Sequence, residues 1–371
     1  MATLRVLVVE DSATMRSHLV QTLRRDPDCQ VVGEAADGDS AVRLCETLRP
    51  DVVTLDMVLS GSKTGVEVTE HIMAYCPTPI LVVSSSFNRR DVAQTFQALA
   101  AGAVEVIEKP SGREPEGAWE RTFLQTVKLA ARIKVIRHPR QRLRELERPS
   151  PSPRPVLAAT PAGVAAAPVA AGERRRGPAR SLIAIGASTG GPAAVVEVLR
   201  HAPPAPVLLI IHIGTAFSVG LIDWLAQVLP QRVCEVFDGQ PLPSPGTHAV
   251  LVAPADRHLV VQGGQLRLLN QPERNACRPS IDVLFESVAE HLGPRAAGCL
   301  LTGMGRDGAE GLLRMRQAGA ATIAQDQSTS VVFGMPREAI RLNAAERVLR
   351  LPEIGPALVS LVSRSDENSR N

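Results

Sequence analysis

Three short stretches in the second half of the chain bring together the side chains that acyl transfer requires. In IAIGASTGGP (183–192) an apolar run passes into Gly186-Ala187-Ser188-Thr189-Gly190-Gly191. This matches Gly-x-Ser-x-Gly, a strand-to-helix turn in which small neighbours let the backbone bend sharply and leave the serine hydroxyl exposed. The helix that follows, PAAVVEVLR, would point its positive dipole end at a developing oxyanion. A phosphate loop fits less well. The pattern G-x-x-x-x-G-K-[ST] is absent, no lysine follows Lys134, and G-x-G-x-x-G is not matched. A plain tight turn with Ser188 as helix N-cap is the alternative.

A serine nucleophile needs a base and an acid that orients the base. PVLLIIH ends a predicted strand in His212, and GCLLTG runs into Met304-Gly305-Arg306-Asp307-Gly308. Gly303, Gly305 and Gly308 imply backbone that turns tightly and presents N–H groups. Three strand ends thus deliver Ser188, His212 and Asp307 to one rim. The chain order Ser–His–Asp differs from the Ser–acid–His order of α/β-hydrolases, which implies the same geometry on another fold.

A second constellation lies in the first half. Predicted strands there end in Glu10-Asp11, Asp56, Ser84 and Lys109-Pro110. Three carboxylates at one sheet edge repel one another unless a cation neutralises them, and Mg²⁺ with oxygen ligands is the natural choice. Lys109 supplies a point charge and Ser84 a hydroxyl donor. A strand-end Asp also serves as a helix N-cap; here Ser12 can take that role and free Asp11.

The elements that must position these groups read as alternating strands and helices. LRVLVVE, CQVVGEA, DVVTLDM, PILVVSS and AVEVIEK are strand candidates, with helices at Ala13–Arg24, Asp39–Leu48, Val66–Ala74, Asp91–Ala100 and Ala118–Ile136. The alternation resumes with SLIAIGA, PVLLIIH, VCEVFD, HAVLVAP, GCLLTG and ATIAQ. The expected fold class is α/β, with two doubly wound parallel-sheet domains. Ligands should gather beyond the carboxyl ends of the strands, where strand order reverses. Between the two, residues 140–180 are rich in Pro, Ala and Arg and lack aromatic residues, a composition expected to form a mobile tether.

The net charge of +3 conceals an asymmetry. Arg137–Arg180 holds ten Arg against three Glu, so the rest of the chain is net −4. The basic surplus belongs to the tether, which argues against a nucleic-acid-binding module. No apolar run reaches membrane-spanning length and no signal peptide is evident at the N-terminus. Six cysteines without a C-x-x-C pair fit reduced thiols, so a cytoplasmic location without membrane insertion is expected.

VVEDS, TLDM, VVSSS and VIEKP resemble the motifs of a response-regulator receiver domain. The resemblance implies that Asp56 accepts a phosphoryl group from a chemotaxis histidine kinase, that Glu10, Asp11 and Asp56 hold Mg²⁺, and that Ser84 and Lys109 sense the phosphate. After Asp56 this chain has MVLSGSKTG, one residue longer than the family pattern and without its Pro and Asp. IAIGASTGG, LLIIH, VLVAPADRHL, RPSIDVLFESVA, LTGMGRDGAEG and AQDQSTSVVFGMPREAI are similar to the catalytic domain of the chemotaxis protein-glutamate methylesterase family, CheB. That resemblance implies Ser188 as nucleophile, His212 as base, Asp307 as orienting acid and the Met304 backbone N–H as oxyanion donor. It further implies methyl-accepting chemoreceptors as substrate, with glutamine deamidation by the same chemistry and no cofactor for the esterase. Ile213-Gly214-Thr215-Ala216 replaces the usual residues after the histidine. A structural role is expected for His258.

The expected layout is a flavodoxin-like receiver at 1–127, a helix end and linker at 128–179, a Rossmann-like methylesterase domain at 180–365 and a disordered tail at 366–371, in a monomer. A receiver resting across the Ser188 rim would block access until Asp56 is phosphorylated. The rival readings are a general carboxylesterase and a non-enzymatic module that drains phosphate and docks to receptors.

Overall fold

The computed structural model describes residues 3–85, 89–112, 114–133, 135, 180–201 and 203–363. Most of the expected linker, residues 136–179, and the expected tail at 366–371 lie outside them.

The first sheet is built from β1 (Leu4–Val9), β2 (Cys29–Ala35), β3 (Val52–Leu55), β4 (Ile80–Ser84) and β5 (Glu105–Glu108). They pair in parallel in the order β2-β1-β3-β4-β5. Helices α1 (Ala13–Arg24), α2 (Gly38–Leu48), α3 (Gly65–Tyr75), α4 (Arg89–Ala101) and α5 (Ala118–Ala130) connect and cover it. Val6–Val9 and Val52–Leu55 are almost wholly buried, which is why these strands read as continuous apolar runs rather than alternating ones. Ser12 Oγ caps α1 by accepting from Met15 N, so Asp11 is spared that duty. The final helix stops at Ala130, short of the expected Ile136, because Arg132 N and Ile133 N bond three residues back and tighten the last turn.

The second sheet has seven parallel strands, against six expected: β6 (Leu182–Ala187), β7 (Val207–Ile211), β8 (Arg232–Glu235), β10 (Ala249–Val252), β13 (Ala296–Leu300), β14 (Ala321–Gln325) and β15 (Arg347–Leu349). Their order is β15-β14-β13-β6-β7-β10-β8. Chain direction across the sheet therefore reverses between β6 and β13. The helices are α6 (Gly191–Leu199), α7 (Ser218–Val228), α8 (Ile281–Leu292), α9 (Ala309–Gln317), α10 (Met335–Arg341) and α11 (Leu351–Ser363). A small antiparallel sheet of β9 (Gln240–Pro241), β11 (His258–Gln262) and β12 (Gln265–Leu269) is an addition to the expected topology. Two parallel-sheet α/β domains is the architecture.

The domains share apolar contacts. Val92, Phe96 and Leu99 of α4 belong to one buried cluster with Leu221 and Trp224 of α7. Phe96 stacks on Trp224 with ring centroids 5.5 Å apart at 20°. Gly220 makes the approach feasible, since a Cβ there would lie 1.9 Å from Val92 Cγ1. No helix among the described residues is long and apolar enough to cross a membrane.

Candidate active site

The turn after β6 sits at the reversal point of the second sheet, where a crevice opens beyond the strand ends. Ser188 N donates to Thr302 O at 3.0 Å, tying the turn to the segment after β13. Gly190 adopts φ +76°, a left-handed conformation that costs a residue with a Cβ free energy, and α6 begins at the next residue. Thr189 is held from two sides. Its carbonyl accepts from Thr302 Oγ1 at 3.0 Å, and its hydroxyl donates to Glu105 Oε2 at 2.6 Å. Glu105 belongs to β5 of the first domain, so a carboxylate from one domain grips the residue beside the predicted nucleophile in the other.

His212 follows β7 directly, and its N–H donates to Ala187 O at 3.0 Å. Asp307, 2% exposed, lies against the N-terminus of α8. Its carboxylate accepts from Ser280 Oγ and Ile281 N, each at 2.6 Å, and from Asn275 Nδ2 at 3.2 Å. Burial acts to raise the Asp307 pKa; nearby His212, then Ser280 and Ile281, outweigh it and hold the group below its ordinary 3.8. Burial acts to lower the His212 pKa, but the Asp307 carboxylate and then Cys277 raise it to about 9.

His212 Nε2 lies 3.0 Å from Asp307 Oδ2, an ion-pair distance, but out of line for a directed hydrogen bond. Nδ1 faces Cys277 Sγ at 3.7 Å. Both ring nitrogens therefore face residues other than Ser188, and no hydrogen bond joins Ser188 Oγ to the imidazole among the described residues. The turn after β6 adjoins both the end of β7 and the segment after β13, with His212 against Asp307. The proton path from serine to histidine is not assembled in this conformation.

Met304 is 54% exposed in the loop after β13, while Gly303 packs so closely on Ser188 that a Cβ would lie 2.8 Å from Ser188 Cβ. No acceptor takes the Met304 N–H among the described residues, leaving it available to an oxyanion. His258 is buried: Ser280 N donates to its Nδ1 at 3.1 Å and Nε2 faces Pro272 O at 3.0 Å. Its role is to fix the backbone that supports Asp307. The replaced segment after His212 forms a short 3₁₀ turn over Thr215–Phe217 that buries Phe217.

In the first domain, Glu10 and Asp56 are buried at the β1 and β3 tips, again at a reversal of strand order. Lys109 Nζ lies 2.8 Å from Asp56 Oδ2 and 2.9 Å from the Glu10 carboxylate. Burial first, then Asp56, raises the Glu10 pKa to about 7; burial also raises that of Asp56 against the pull of Lys109. One oxygen from each of Glu10, Asp11 and Asp56 lies within 4.8 Å of the others. Three clustered carboxylates with only the Lys109 ammonium between two of them leave negative charge in excess, and such an all-oxygen set fits a hard divalent cation. Ser84 is buried at the β4 tip, where its hydroxyl donates to Ser85 O at 3.4 Å. The atypical loop after Asp56 is tied down by Lys63 and Ser62, which bond Asp39 at 2.6 and 2.5 Å, and by the capping box at Thr64 and Glu67.

Sequence reasoning missed Glu105, Thr189, Ser280, Asn275 and Cys277. The Ser280 position was legible as an N-cap ahead of the IDVLFESVA helix; the others depend on contacts distant in sequence.

Residues 183–358 match the family described as CheB methylesterase, and residues 6–115 match the response regulator receiver domain. A protein-glutamate methylesterase/protein-glutamine glutaminase of Anaeromyxobacter dehalogenans is 41% identical over 96% of this chain and 97% of its own. One from Geobacter metallireducens is 42% identical, covering 96% and 98%. Among solved structures, the CheB methylesterase catalytic domain of Thermotoga maritima is 32% identical and covers 50% of this chain and all of that one, with a TM-score of 0.46. Near-full-length identity at this level, across both a receiver half and an esterase half, places the chain in the CheB methylesterase family.

Proposed function

We propose that the chain is a phosphorylation-gated serine esterase that hydrolyses glutamyl methyl esters, and deamidates glutamines, on chemoreceptors in the cytoplasm. What supports the reading is His212 set against Asp307, itself pinned by the α8 N-terminus, beside the β6/β13 reversal point where the turn carrying Ser188 is tied to Thr302. Ser188 Oγ attacks the ester carbonyl and passes its proton to His212, whose charged form Asp307 stabilises. The Met304 N–H receives the oxyanion. The tetrahedral adduct collapses, His212 returns the proton to the departing methoxide, and methanol leaves. Water then adds to the acyl-serine with His212 as base, releasing glutamate and restoring Ser188. To start this cycle the imidazole must first turn a nitrogen from Asp307 or Cys277 toward Ser188.

Gating follows from the position of β5. Glu105 at its start grips Thr189, while Lys109, just past its end, contacts Asp56. The span is about 13 Å of extended chain. Asp56 takes the phosphoryl group from a histidine kinase, Glu10, Asp11 and Asp56 hold Mg²⁺, and Lys109 and Ser84 follow the added charge. The cation, when bound, offsets negative charge on the transferred group. A shift of β5 then loosens the Thr189 contact and frees the rim.

Methanol release from methylated receptor, and hydrolysis of a small soluble ester, should be measured with and without a small phosphodonor. Receptor-specific release that the phosphodonor stimulates supports the proposal. Equal rates in both conditions would refute gating, and a preference for the small ester would favour a general carboxylesterase.

A further inference from the structure

Two buried carboxylates lie side by side behind His212, and the mechanism above uses only one of them. Asp282, on the first turn of α8, is 0% exposed and Asp307 is 2% exposed. A buried charge is costly unless it is paired or fully hydrogen-bonded, and two like charges in contact raise that cost.

The two carboxylates exchange helix caps. Asp307, just ahead of α9, accepts from Ser280 Oγ, Ile281 N and Asp282 N at the start of α8, at 2.6, 2.6 and 3.3 Å. Asp282 Oδ1 in turn accepts from Gly311 N, in the first turn of α9, at 2.6 Å. The helices approach this closely because Gly311 has no Cβ; one there would lie 2.7 Å from Phe285 Cβ. Each carboxylate thus meets the positive end of the other's helix.

Asn275 closes the unit. Its Nδ2 donates to Asp282 Oδ2 at 2.8 Å and to Asp307 Oδ1 at 3.2 Å. Arg306 Nε donates to Asn275 Oδ1 at 3.0 Å, which fixes the amide with its nitrogen toward the carboxylates. Burial, and then the charge of Asp307, raise the Asp282 pKa to about 6, so above that pH both groups are anionic. Arg274 is near but spends its hydrogen bonds on Glu286 at 2.5 and 2.9 Å and on Glu310 at 3.4 Å. The group that gains from the paired charge is His212, whose Nε2 lies 3.0 Å from Asp307 Oδ2.

We infer that Asp282 is a positioning residue for ester hydrolysis. Linked to Asp307 by crossed helix caps and the Asn275 amide, it holds that carboxylate on His212 and adds its own charge to the field that stabilises the imidazolium. The inference rests on the Ser188–His212–Asp307 reading of the site.

Its test is the pH profile of kcat/KM for methanol release from methylated receptor, taken across neutral and alkaline pH with full-length protein and a small phosphodonor. Asp282→Asn keeps an oxygen for Gly311 N but removes the charge and sets one amide nitrogen against another at Asn275. It should lower the alkaline plateau about tenfold and move the rising limb to lower pH by about one unit. Asn275→Gly tolerates the left-handed backbone at φ 54° and removes the donor while leaving both charges, so its limb should move to higher pH. A role in folding alone would scale the curve without moving the limb, and thermal melts of the same proteins report that loss. Should Asp282→Asn melt below the assay temperature, Asn275→Gly in its half-buried turn carries the test by itself. A limb left unmoved in either folded variant, or moved in the same direction in both, would overturn the inference. Ser188→Ala, run in parallel, tests the reading beneath it: methanol release that survives this change would overturn the triad itself.

Discussion

Replacing Glu105 by Ala should turn on the unphosphorylated protein. The Glu105–Thr189 contact is a 2.6 Å hydrogen bond from a hydroxyl to a half-buried carboxylate. Hydrogen bonds to charged groups contribute about 1.5–3 kcal/mol, and each 1.4 kcal/mol is a factor of ten. Its loss should therefore move the closed-to-open ratio by about tenfold to a hundredfold. If the resting ratio is about 100:1, the open fraction rises from about 1% to between roughly 9% and 50%, and basal turnover by the same factor. Stimulation by a phosphodonor should shrink in proportion, because the open fraction cannot exceed unity. The assay is methanol release from methylated receptor membranes by full-length protein, with Thr189→Val as the matching change across the interface. In a double-mutant cycle the two changes should be strongly non-additive, since they break the same bond. A folded Glu105→Ala protein with wild-type basal rate, and strictly additive effects in the cycle, would refute the latch.

Other outcomes follow from the same geometry. Phe96→Ala should also raise basal activity, since its buried ring stacks on Trp224 across the domains and such deletions cost about 3–5 kcal/mol; a thermal melt alongside the rate assay separates loosening from unfolding. The resting protein should gain activity as pH rises toward about 9, because His212 held protonated by Asp307 and Cys277 cannot accept a proton below that value; a flat profile from neutrality to pH 9 would contradict it. The raised His212 pKa also contributes stability that is full below 6.5 and lost as pH rises through about 9, while the lowered Asp307 pKa contributes stability above 3.8 that is lost in acid. A denaturant series across pH should show both flanks, and Asp307→Asn should remove them. Chelation of Mg²⁺ should block phosphoryl uptake from a small donor and leave basal methanol release intact, read by phosphate incorporation and methanol together.

Much of the fold was legible because parallel strands buried on both faces write themselves as short apolar runs, as in Val6–Val9 and Ile183–Ile185. Helix limits came within a residue or two wherever a cap marks them, as Ser12 and Thr64 do. The strand Arg347–Leu349 escaped notice because three residues carry too little pattern. The hairpin of β11 and β12 was announced by Gly263-Gly264, both at positive φ, but the alternation of strand and helix drew the reading toward parallel pairing alone. Ser188, His212 and Asp307 stood out because each follows an apolar strand. Glu105 did not, for a glutamate inside a short strand reads as solvated until a second domain is laid against it. Cys277 was equally silent, its contact with His212 being made across 65 residues by a turn with no apolar signature.

The central claim is that Ser188 carries the acyl group between the departure of methanol and the arrival of water. It is tested most directly by quenching turnover of methylated receptor peptide in acid and mapping the covalent adduct by mass spectrometry. The account predicts an acyl group on Ser188, absent in Ser188→Ala, with methanol release reduced about 10⁴–10⁶-fold in that variant. An adduct on Cys277 instead, or undiminished methanol release by Ser188→Ala, would contradict it.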